Sequence, residues 1–150
     1  MSLISNLPDM LCEWFSDLNE FSDCSFCTQF PGNSKTTPLE NPVIVFGSRS
    51  IKVFDNATDE TGAVVTDKRI AELDFSIGVH VPRVMGGAEC FGLLDSITER
   101  LLFGTDLTIS GMTSEKTEYI RNTDSLFVEL VFTVKETLHS NGSINNKLIV

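Results

Sequence analysis

The stretch "AELDFSIGVHVPR" (residues 71–83) alternates between apolar and polar side chains. A period of two indicates a β-strand with one buried face. The apolar positions are Ala71, Leu73, Phe75, Ile77, Val79 and Val81. The opposite positions are Glu72, Asp74, Ser76, Gly78, His80 and Pro82. The stretch therefore predicts a strand whose second face is a working site, a solvated surface or a contact with a neighbouring copy.

The amino-terminal segment predicts an amphipathic helix. Apolar residues recur there at spacings of three and four, which places them on one stripe of a helix. Because Pro8 fits only the first turn, we expect the helix to begin near Ser5 or Asn6. We expect it to end around residues 19–22.

Three further segments separate this helix from the alternating strand. "CSFCTQF" predicts a short extended piece, and "PGNSKTTPLENP" predicts a polar loop because its three prolines exclude a helix or a central strand. "VIVFGSRSIKVFD" predicts a strand that is broken or bulged at Gly47. Residues 55–67 predict an acidic, turn-rich loop, and the strands on its two sides are expected to be antiparallel.

A second helix and further strands follow the alternating strand. "GGAECFGLLDSITERLLFG" predicts a helix that Gly86 and Gly87 separate from the strand and that ends at Gly104. "DLTISGM" and "DSLFVELVFTVKETL" predict two more strands. The expected apolar face of the helix comprises Cys90, Phe91, Leu93, Leu94, Ile97, Leu101 and Leu102.

The order of these elements predicts an α+β fold. We expect an antiparallel, or mixed, sheet with two main helices packed on one face, in a single domain over residues 1–137. Residues 138–150 are expected to form a flexible or docking arm. The predicted core comprises Phe75, Ile77, Val79, Leu94, Ile97, Leu101, Leu130 and Phe132.

Composition limits the classes of function. The chain has 150 residues, 41% of them hydrophobic and 21% charged, as in an ordinary globular domain. A net charge of −10 disfavours sequence-specific nucleic-acid binding. No apolar run is long enough to span a membrane. The amino terminus lacks the features of a signal peptide, so we expect a protein of the cytosol without membrane partners.

The cysteines do not form a recognisable metal or redox motif. The pair in "CSFC", Cys24 and Cys27, has CxxC spacing, but no second CxxC or HxxxH follows it. On a strand, residues three apart point to opposite sides, so one thiol is expected to face inward and one outward. Together with Cys12 and Cys90, these residues are interpreted as structural.

The histidines and carboxylates do not form a recognisable catalytic site either. Nucleophilic catalysis requires a serine or cysteine near a histidine that an acid orients, and the histidines are His80 and His139, the latter in the expected arm. Glu72, Asp74 and His80 lie along one strand and span too much length for a single metal ion. We therefore predict no catalytic, cofactor-binding or metal-binding residues, and a protein that is not an enzyme.

Taken together, "NPVIVFGSRSIKV", "RIAELDFSIGVHVPRVMGGAECFGLLDSITERLL" and "YIRNTDSLFVELVFTVKETL" resemble a known family. The arrangement is similar to that of the tail terminator and tail completion proteins of long-tailed bacteriophages and related contractile tail-like particles. The resemblance covers roughly residues 3–137. It consists of the alternating strand, the amphipathic helix that follows it and the long final strand after a polar turn.

The resemblance implies a structural protein of a phage or a phage-derived particle. Its subunits would form a homo-oligomeric ring of six copies that ends the tail tube and meets the neck, collar or head. The implied partners are the tube and, in a contractile particle, the sheath, and the protein would pass from the bacterial cytoplasm into the particle. The residues suspected of forming a subunit contact or lining the lumen are Glu72, Asp74, Ser76 and His80.

Other interpretations remain open on sequence alone. The chain is also compatible with a different neck or tail completion subunit, and with a small module that binds a ligand or peptide on an open sheet face. An enzyme built around Cys27 or His80 is a third possibility. Acidic residues would suit a lumen that conducts DNA without holding it, and the same charge is common in proteins that are merely soluble.

Overall fold

The fold is built from a long β-hairpin that two helices cover on one side. The computed structural model describes residues 3–29, 38–58 and 60–139. The helices are α1 (Leu3–Ser16) and α2 (Gly87–Gly104), and short 3₁₀ turns occupy Asn19–Phe21 and Arg83–Met85. The strands are β1 (Ser25–Cys27), β2 (Val43–Thr58), β3 (Val64–Pro82), β4 (Ile109–Ser114), β5 (Glu118–Ile120) and β6 (Ser125–His139).

The six strands form one mixed sheet in the order β1-β2-β3-β6-β4. β1 is parallel to β2, and every other pair of neighbouring strands is antiparallel. β5 pairs with the beginning of β6 on the same side as β4. Residues 71–82 of the alternating stretch lie in β3, as predicted, and β3 lies between β2 and β6. The α+β class, with a single sheet and two main helices, is therefore confirmed.

Both helices pack on the face of the sheet that carries the odd-numbered residues of β3. One cluster of buried side chains joins α1, α2 and this face, and all eight predicted core residues are buried. Phe75 stacks against Phe132 across β3 and β6 with ring centroids 5.6 Å apart. Phe15 of α1 stacks against Phe46 of β2 at 5.5 Å. Burial of large aromatic rings thus fixes the helices to the sheet.

The predicted start and end of α1 were wrong. The helix begins at Leu3 rather than near Ser5 or Asn6, so Pro8 lies in its second turn, where it is buried. Proline removes one intrahelical hydrogen bond there. The buried stripe formed by Leu7, Leu11 and Phe15 holds this helix against the sheet despite that loss. The helix ends at Ser16, and the segment predicted to complete it includes a separate 3₁₀ turn.

The β2–β3 hairpin also differs from the prediction. Gly47 stays in register with Ser76, and the irregularity falls between Ser48 and Ser50, so Arg49 is the extra residue of the bulge. Pairing continues to Thr58 and Val64, and the acidic loop expected over residues 55–67 is therefore much shorter. Backbone pairing in a hairpin tolerates polar side chains, which is why composition alone misplaced the strand ends.

The carboxyl-terminal half departs from prediction in smaller ways. The 3₁₀ turn Arg83–Met85 separates β3 from α2, and β5 was not predicted as a strand. The apolar face of α2 is narrower than expected, because Phe91 and Leu102 are about two-fifths exposed. The strand β6 includes His139, which was assigned to the arm, and residues 140–150 lie outside the described residues.

Candidate functional site: the open face of the sheet

The face of the sheet opposite the helices carries the suspected site residues. We call it the open face and define it by the even-numbered residues 72–82 of β3 with their cross-strand neighbours on β2 and β6. Period-two alternation places Glu72, Asp74, Ser76 and His80 on this face in one line. The strand pairings divide the line into a charged half and an aromatic half.

The charged half begins with a row of three ionisable residues across three strands. Glu72 of β3 is in register with Lys52 of β2 on one side and with Lys135 of β6 on the other. Opposite charges directly across a sheet stabilise the pairing of its strands. The carboxylate of Glu72 therefore has a cationic residue on either side within its own subunit.

Asp74 is held by hydroxyl groups from both neighbouring strands. Ser50 Oγ donates to one carboxylate oxygen at 3.1 Å, and Thr133 Oγ1 donates to the other at 2.7 Å. Ser76 Oγ donates to the backbone carbonyl of Gly47 at 3.5 Å. These hydrogen bonds tie β3 to its neighbours, so both side chains contribute to the sheet itself.

An ion pair on the open face joins β2 to β6 across β3. Arg49, the bulge residue of β2, lies 3.1 Å from Glu129 of β6, and both side chains are partly exposed. Among the described side chains of β2, β3 and β6, the open face carries equal numbers of cations and anions. The cations are Arg49, Lys52 and Lys135, and the anions are Glu72, Asp74 and Glu129.

The aromatic half is packed rather than hydrated. The His80 ring lies against the ring of Phe127 on β6, with centroids 4.5 Å apart. Burial lowers the pKa of His80 to about 4, because the charged imidazolium would lose its hydration. His80 is therefore neutral at physiological pH.

Gly78 makes room for a side chain of its own subunit. A Cβ atom at this position would lie 2.9 Å from Phe127 Cε1 and 3.7 Å from His80 Nε2. Phe127 of the same subunit therefore occupies the space above Gly78, and Pro82 is buried, so neither residue leaves space on this face for another chain. Beside Pro82, the buried Ser125 hydroxyl shares a 2.6 Å hydrogen bond with Thr123.

The excess negative charge lies mainly on the helical side of the molecule. Residues 3–23 contain five acidic and no basic side chains, and α2 contains three acidic residues and one basic residue, Arg100, which pairs with Glu20. The exposed acidic residues of this layer are Asp9, Glu13, Asp17, Glu20, Asp23, Glu89, Asp95 and Glu99. The acidic surface expected for a lumen is thus opposite the strand face suspected of lining it.

The structure does not bring Cys27 and His80 together. Cys27 aligns with Val45, which pairs with Gly78, so two strand spacings, about 10 Å, separate β1 from the strand that carries His80. The Cys27 thiol donates to the Ile44 carbonyl at 3.7 Å, and burial raises its pKa. A thiol with a raised pKa and a distant imidazole do not form a nucleophile and base.

The remaining thiols lie in or against the hydrophobic core. Cys24 packs against the core. Its CxxC partner Cys27 is in register with Val45 of β2, which places Cys27 on the open face. Burial raises the pKa of Cys12 to about 12 and that of Cys24 to about 11. Cys90 is buried in α2, and its thiol donates to the Val79 carbonyl at 3.9 Å. All three positions suit structural side chains.

A second polar cluster, which sequence reasoning missed, lies where β3 ends and β6 begins. Asp124 accepts hydrogen bonds from Arg83 Nε and the Tyr119 hydroxyl, both at 2.8 Å. Asp124 has a φ of 44°, and its carbonyl accepts a hydrogen bond from the Arg83 backbone amide at 3.1 Å. Hydrogen bonding from Arg83 lowers the pKa of Asp124. The cluster fixes a turn, and its spacing in sequence gives no periodic signal.

Two further features of the described residues concern metal-binding clusters and membrane-spanning helices. Within residues 3–29, 38–58 and 60–139, no three histidine, cysteine or acidic side chains lie where they could share a metal ion. No helix in these ranges is long and apolar enough to cross a membrane.

Comparison with protein-family models and with curated proteins gave no match to this sequence.

Proposed function

We propose that this protein is a ring-forming structural subunit that terminates the tail tube of a phage or a phage-derived particle. The proposal rests on the resemblance of residues 3–137 to tail terminator and completion proteins. The observation that supports it best is the separation of charge between the two sides of the sheet. A broad sheet face whose three long strands carry as many cations as anions is suited to the interior or the contacts of an assembly of like subunits.

Electrostatic repulsion is the main obstacle to assembly of such subunits. Each copy carries a net charge of −10, so copies that approach through their acidic surfaces repel one another. A ring with the helical layers on the outside and the open faces toward the lumen keeps most of that charge apart. DNA passing a face with no excess of cations is not retained by phosphate contacts.

The proposed partners follow from this position in the particle. The subunit would form a homo-oligomeric ring, with six copies as the expected number, at the end of the tail tube. Its other side would meet neck, collar or head proteins. Assembly would take place in the bacterial cytoplasm, and the ring would remain in the finished particle. The suspected lumen residues are Glu72, Asp74 and Ser76, while His80 packs within the subunit.

The test is a tube-capping experiment. The tube protein encoded next to the gene for this chain is assembled into tail tubes. The tubes are incubated with the purified protein, and bound protein is located by electron microscopy. We expect a ring at one end of each tube and no further elongation there. Failure to bind tubes, or binding along their walls, contradicts the proposed function, as does a gene neighbourhood without tube and tape-measure genes.

A matched pair of charge reversals tests the role of the open face. Glu72→Lys changes the charge on the open face, and Glu13→Lys makes the same change on the exposed surface of α1. We expect Glu72→Lys to weaken capping, because it adds a cation between Lys52 and Lys135, and Glu13→Lys to cap normally. Equal capping by both variants, with melting temperatures like that of the parent, contradicts a role for this face.

Salt dependence tests the same electrostatic argument. Screening of like charges should strengthen capping as ionic strength rises from low to physiological values, where the Debye length falls to about 8 Å. The measurement is the fraction of tubes capped at several salt concentrations. Capping that is independent of salt, or that weakens as salt is added, contradicts repulsion between subunits as the obstacle to assembly.

A further inference from the structure

The sheet has two strand edges that are unpaired within the described part of the chain. β4 is the last strand on one side and pairs only with β6. On the other side, β1 covers β2 only from Val43 to Val45, and no described strand continues along the outer edge of β2 beyond that point. Unpaired strand edges present backbone donors and acceptors that can pair with another chain.

The β4 edge has a bulge at Ser110, near its start, and its pairing with β6 is regular from Gly111 to Ser114. Residues 109–114 read "ISGMTS", without charge or proline. Glu115 N donates to Glu129 O, and Thr113 is in register with Val131, so odd-numbered residues direct their backbone groups toward β6. The backbone groups of Met112 and Ser114 therefore point outward along the free edge.

The exposed edge of β2 carries apolar side chains on the helical side of the sheet. Every residue from 48 to 53 is exposed. Ile51 and Val53 pair with Leu73 and Ala71, which places them on the face that the helices cover elsewhere, yet they are 41% and 52% exposed. Neither side chain belongs to the buried cluster between helices and sheet.

An apolar groove beside β4 lies on the same face of the sheet. It has a volume of about 260 Å³, and its apolar lining comes from Phe91 and Leu94 of α2, Met112 of β4 and Leu130 of β6. Phe91 is 43% exposed there. A strand added to the free edge of β4 would place its helix-side residues next to this groove, because side chains on one face of neighbouring strands lie side by side.

The two edges are also complementary in charge on the open face. The β2 edge carries Arg49 and Lys52, whereas Glu115 follows β4 and Glu118 lies at the start of β5. Glu115 and Glu118 align with Glu129 and Phe127, respectively, which place them on the open-face side of β6. Opposite charges across an interface favour one partner and one register.

We propose that the free edge of β4 in one copy pairs with the exposed edge of β2 in the next copy. Ile51 and Val53 of the second copy enter the groove beside β4, and Arg49 and Lys52 face Glu115 and Glu118. The inference takes its occupant, a second copy, from the proposed function and names the contact between subunits. The interface joins two different surfaces, so successive copies add head to tail and close into a ring when the rotation between them closes.

This pairing also fixes which way the subunits face. Joining sheets edge to edge keeps all helices on one side and all open faces on the other. The exposed acidic residues of α1 and α2 then lie on one surface of the ring. The open faces, which have no excess of cations, form the opposite surface.

The test blocks each edge separately and then mixes the two variants. Ser114→Pro removes an outward backbone N–H from β4 without breaking its ladder to β6, and Ser114→Ala is its control. The double variant Ile51→Lys, Val53→Lys places charges where the β2 edge is apolar. Val84→Lys, on an 85% exposed residue of the Arg83–Met85 turn, is the matched control for added charge.

The readout is sedimentation velocity of each protein, from micromolar to millimolar concentration, with melting temperatures to confirm folding. We expect the parent and both controls to self-associate and each edge variant to do so about tenfold more weakly or worse. A mixture of Ser114→Pro with the Ile51→Lys, Val53→Lys variant should form a one-to-one dimer that does not grow, because each supplies the edge that the other lacks.

Three outcomes overturn the inference. If Ser114→Pro abolishes association while the Ile51→Lys, Val53→Lys variant associates like the parent, β4 pairs with β4 of another copy. If neither variant affects association, the subunits meet through other surfaces. If the parent protein remains monomeric at millimolar concentration, the edges do not pair. The tube-capping experiment is independent of these results, so failure of the edge contact and failure of the proposed function are distinguishable.

Discussion

The two faces of the central sheet differ in how closely the side-chain pattern corresponds to the structure. On the helical face, apolar residues of β3 are buried against α1, α2 and β6, as a period of two predicts. On the open face, the polar residues of the same strand are not simply solvated. Asp74 accepts hydrogen bonds from two neighbouring strands, and His80 packs on Phe127.

This difference shows what a polar residue in an alternating strand indicates. An apolar residue in such a strand has one favourable location, whereas a polar residue can be hydrated, paired across strands or packed on an aromatic ring. The central strand uses the second option for Asp74 and the third for His80. Substitutions on the two faces should therefore change the free energy of unfolding by different amounts and for different reasons.

The largest effect is expected on the helical face, from Phe132→Ala. Phe132 is fully buried and stacks on Phe75, so truncation leaves a large cavity between helices and sheet. We expect the free energy of unfolding to fall by about 3–5 kcal/mol, measured by urea denaturation. Phe103→Ala is the matched control, because Phe103 is 79% exposed, and it should change stability by less than about 0.5 kcal/mol. A loss below about 1 kcal/mol for Phe132→Ala would contradict the burial of this ring, because collapse of the cavity does not recover the transfer free energy of the deleted ring.

An intermediate effect is expected on the open face, from Gly78→Ala. The added methyl group would lie 2.9 Å from Phe127 Cε1, so the ring must shift. We expect a loss of about 1–3 kcal/mol, as for other overpacked positions. Gly111→Ala is the control, since its methyl group would meet no atom within 4 Å, and it should leave stability unchanged or raise it by up to about 1 kcal/mol.

A second substitution separates the ring contact from other effects of Gly78→Ala. In a Phe127→Leu background the methyl group has more space, so Gly78→Ala should cost less there than in the parent protein. Urea denaturation of the four proteins gives the coupling between the two positions. An equal cost in both backgrounds would mean that Phe127 is not the reason for a glycine at this position.

Much of the fold could be predicted because its buried residues follow simple periods. The alternation in residues 71–83 located β3, and spacings of three and four located both helices. Strand ends and the bulge were misplaced because backbone pairing determines them. Arg49 forms the bulge although the sequence favoured Gly47. A Cβ atom added at Gly47 would lie 3.2 Å from Ser76 Oγ. The glycine at that position reflects close side-chain packing rather than a break in the strand.

The candidate site was less predictable, since its properties depend on residues far apart in sequence. Glu72 lies between Lys52 and Lys135, and no local pattern links these three positions. The sequence does not show why residue 78 is a glycine, because Phe127, which lies above it, belongs to a strand 49 positions later. Cross-strand register supplies this information, and it emerges only when the strands are paired.

The smallest effect concerns the pH dependence of stability. Burial lowers the pKa of His80 from its ordinary value of 6.5 to about 4, so the unfolded state binds a proton more readily than the folded state. Protonation of His80 should therefore have no effect on stability above about pH 6.5, and stability should fall as pH decreases from there toward 4. The slope cannot exceed about 1.4 kcal/mol per pH unit, the limit for one proton.

The measurement compares urea denaturation of the parent protein and of His80→Gln between pH 7.5 and 5, above the range in which ordinary carboxyl groups titrate. Glutamine cannot be protonated, so the parent should lose more stability than the variant over this interval. His139 is present in both proteins, and its contribution cancels in the comparison. Parallel profiles for the two proteins would mean that His80 keeps an ordinary pKa and that the ring on Phe127 is hydrated. In that case, the aromatic half of the open face would resemble the charged half, and the distinction between them would fail.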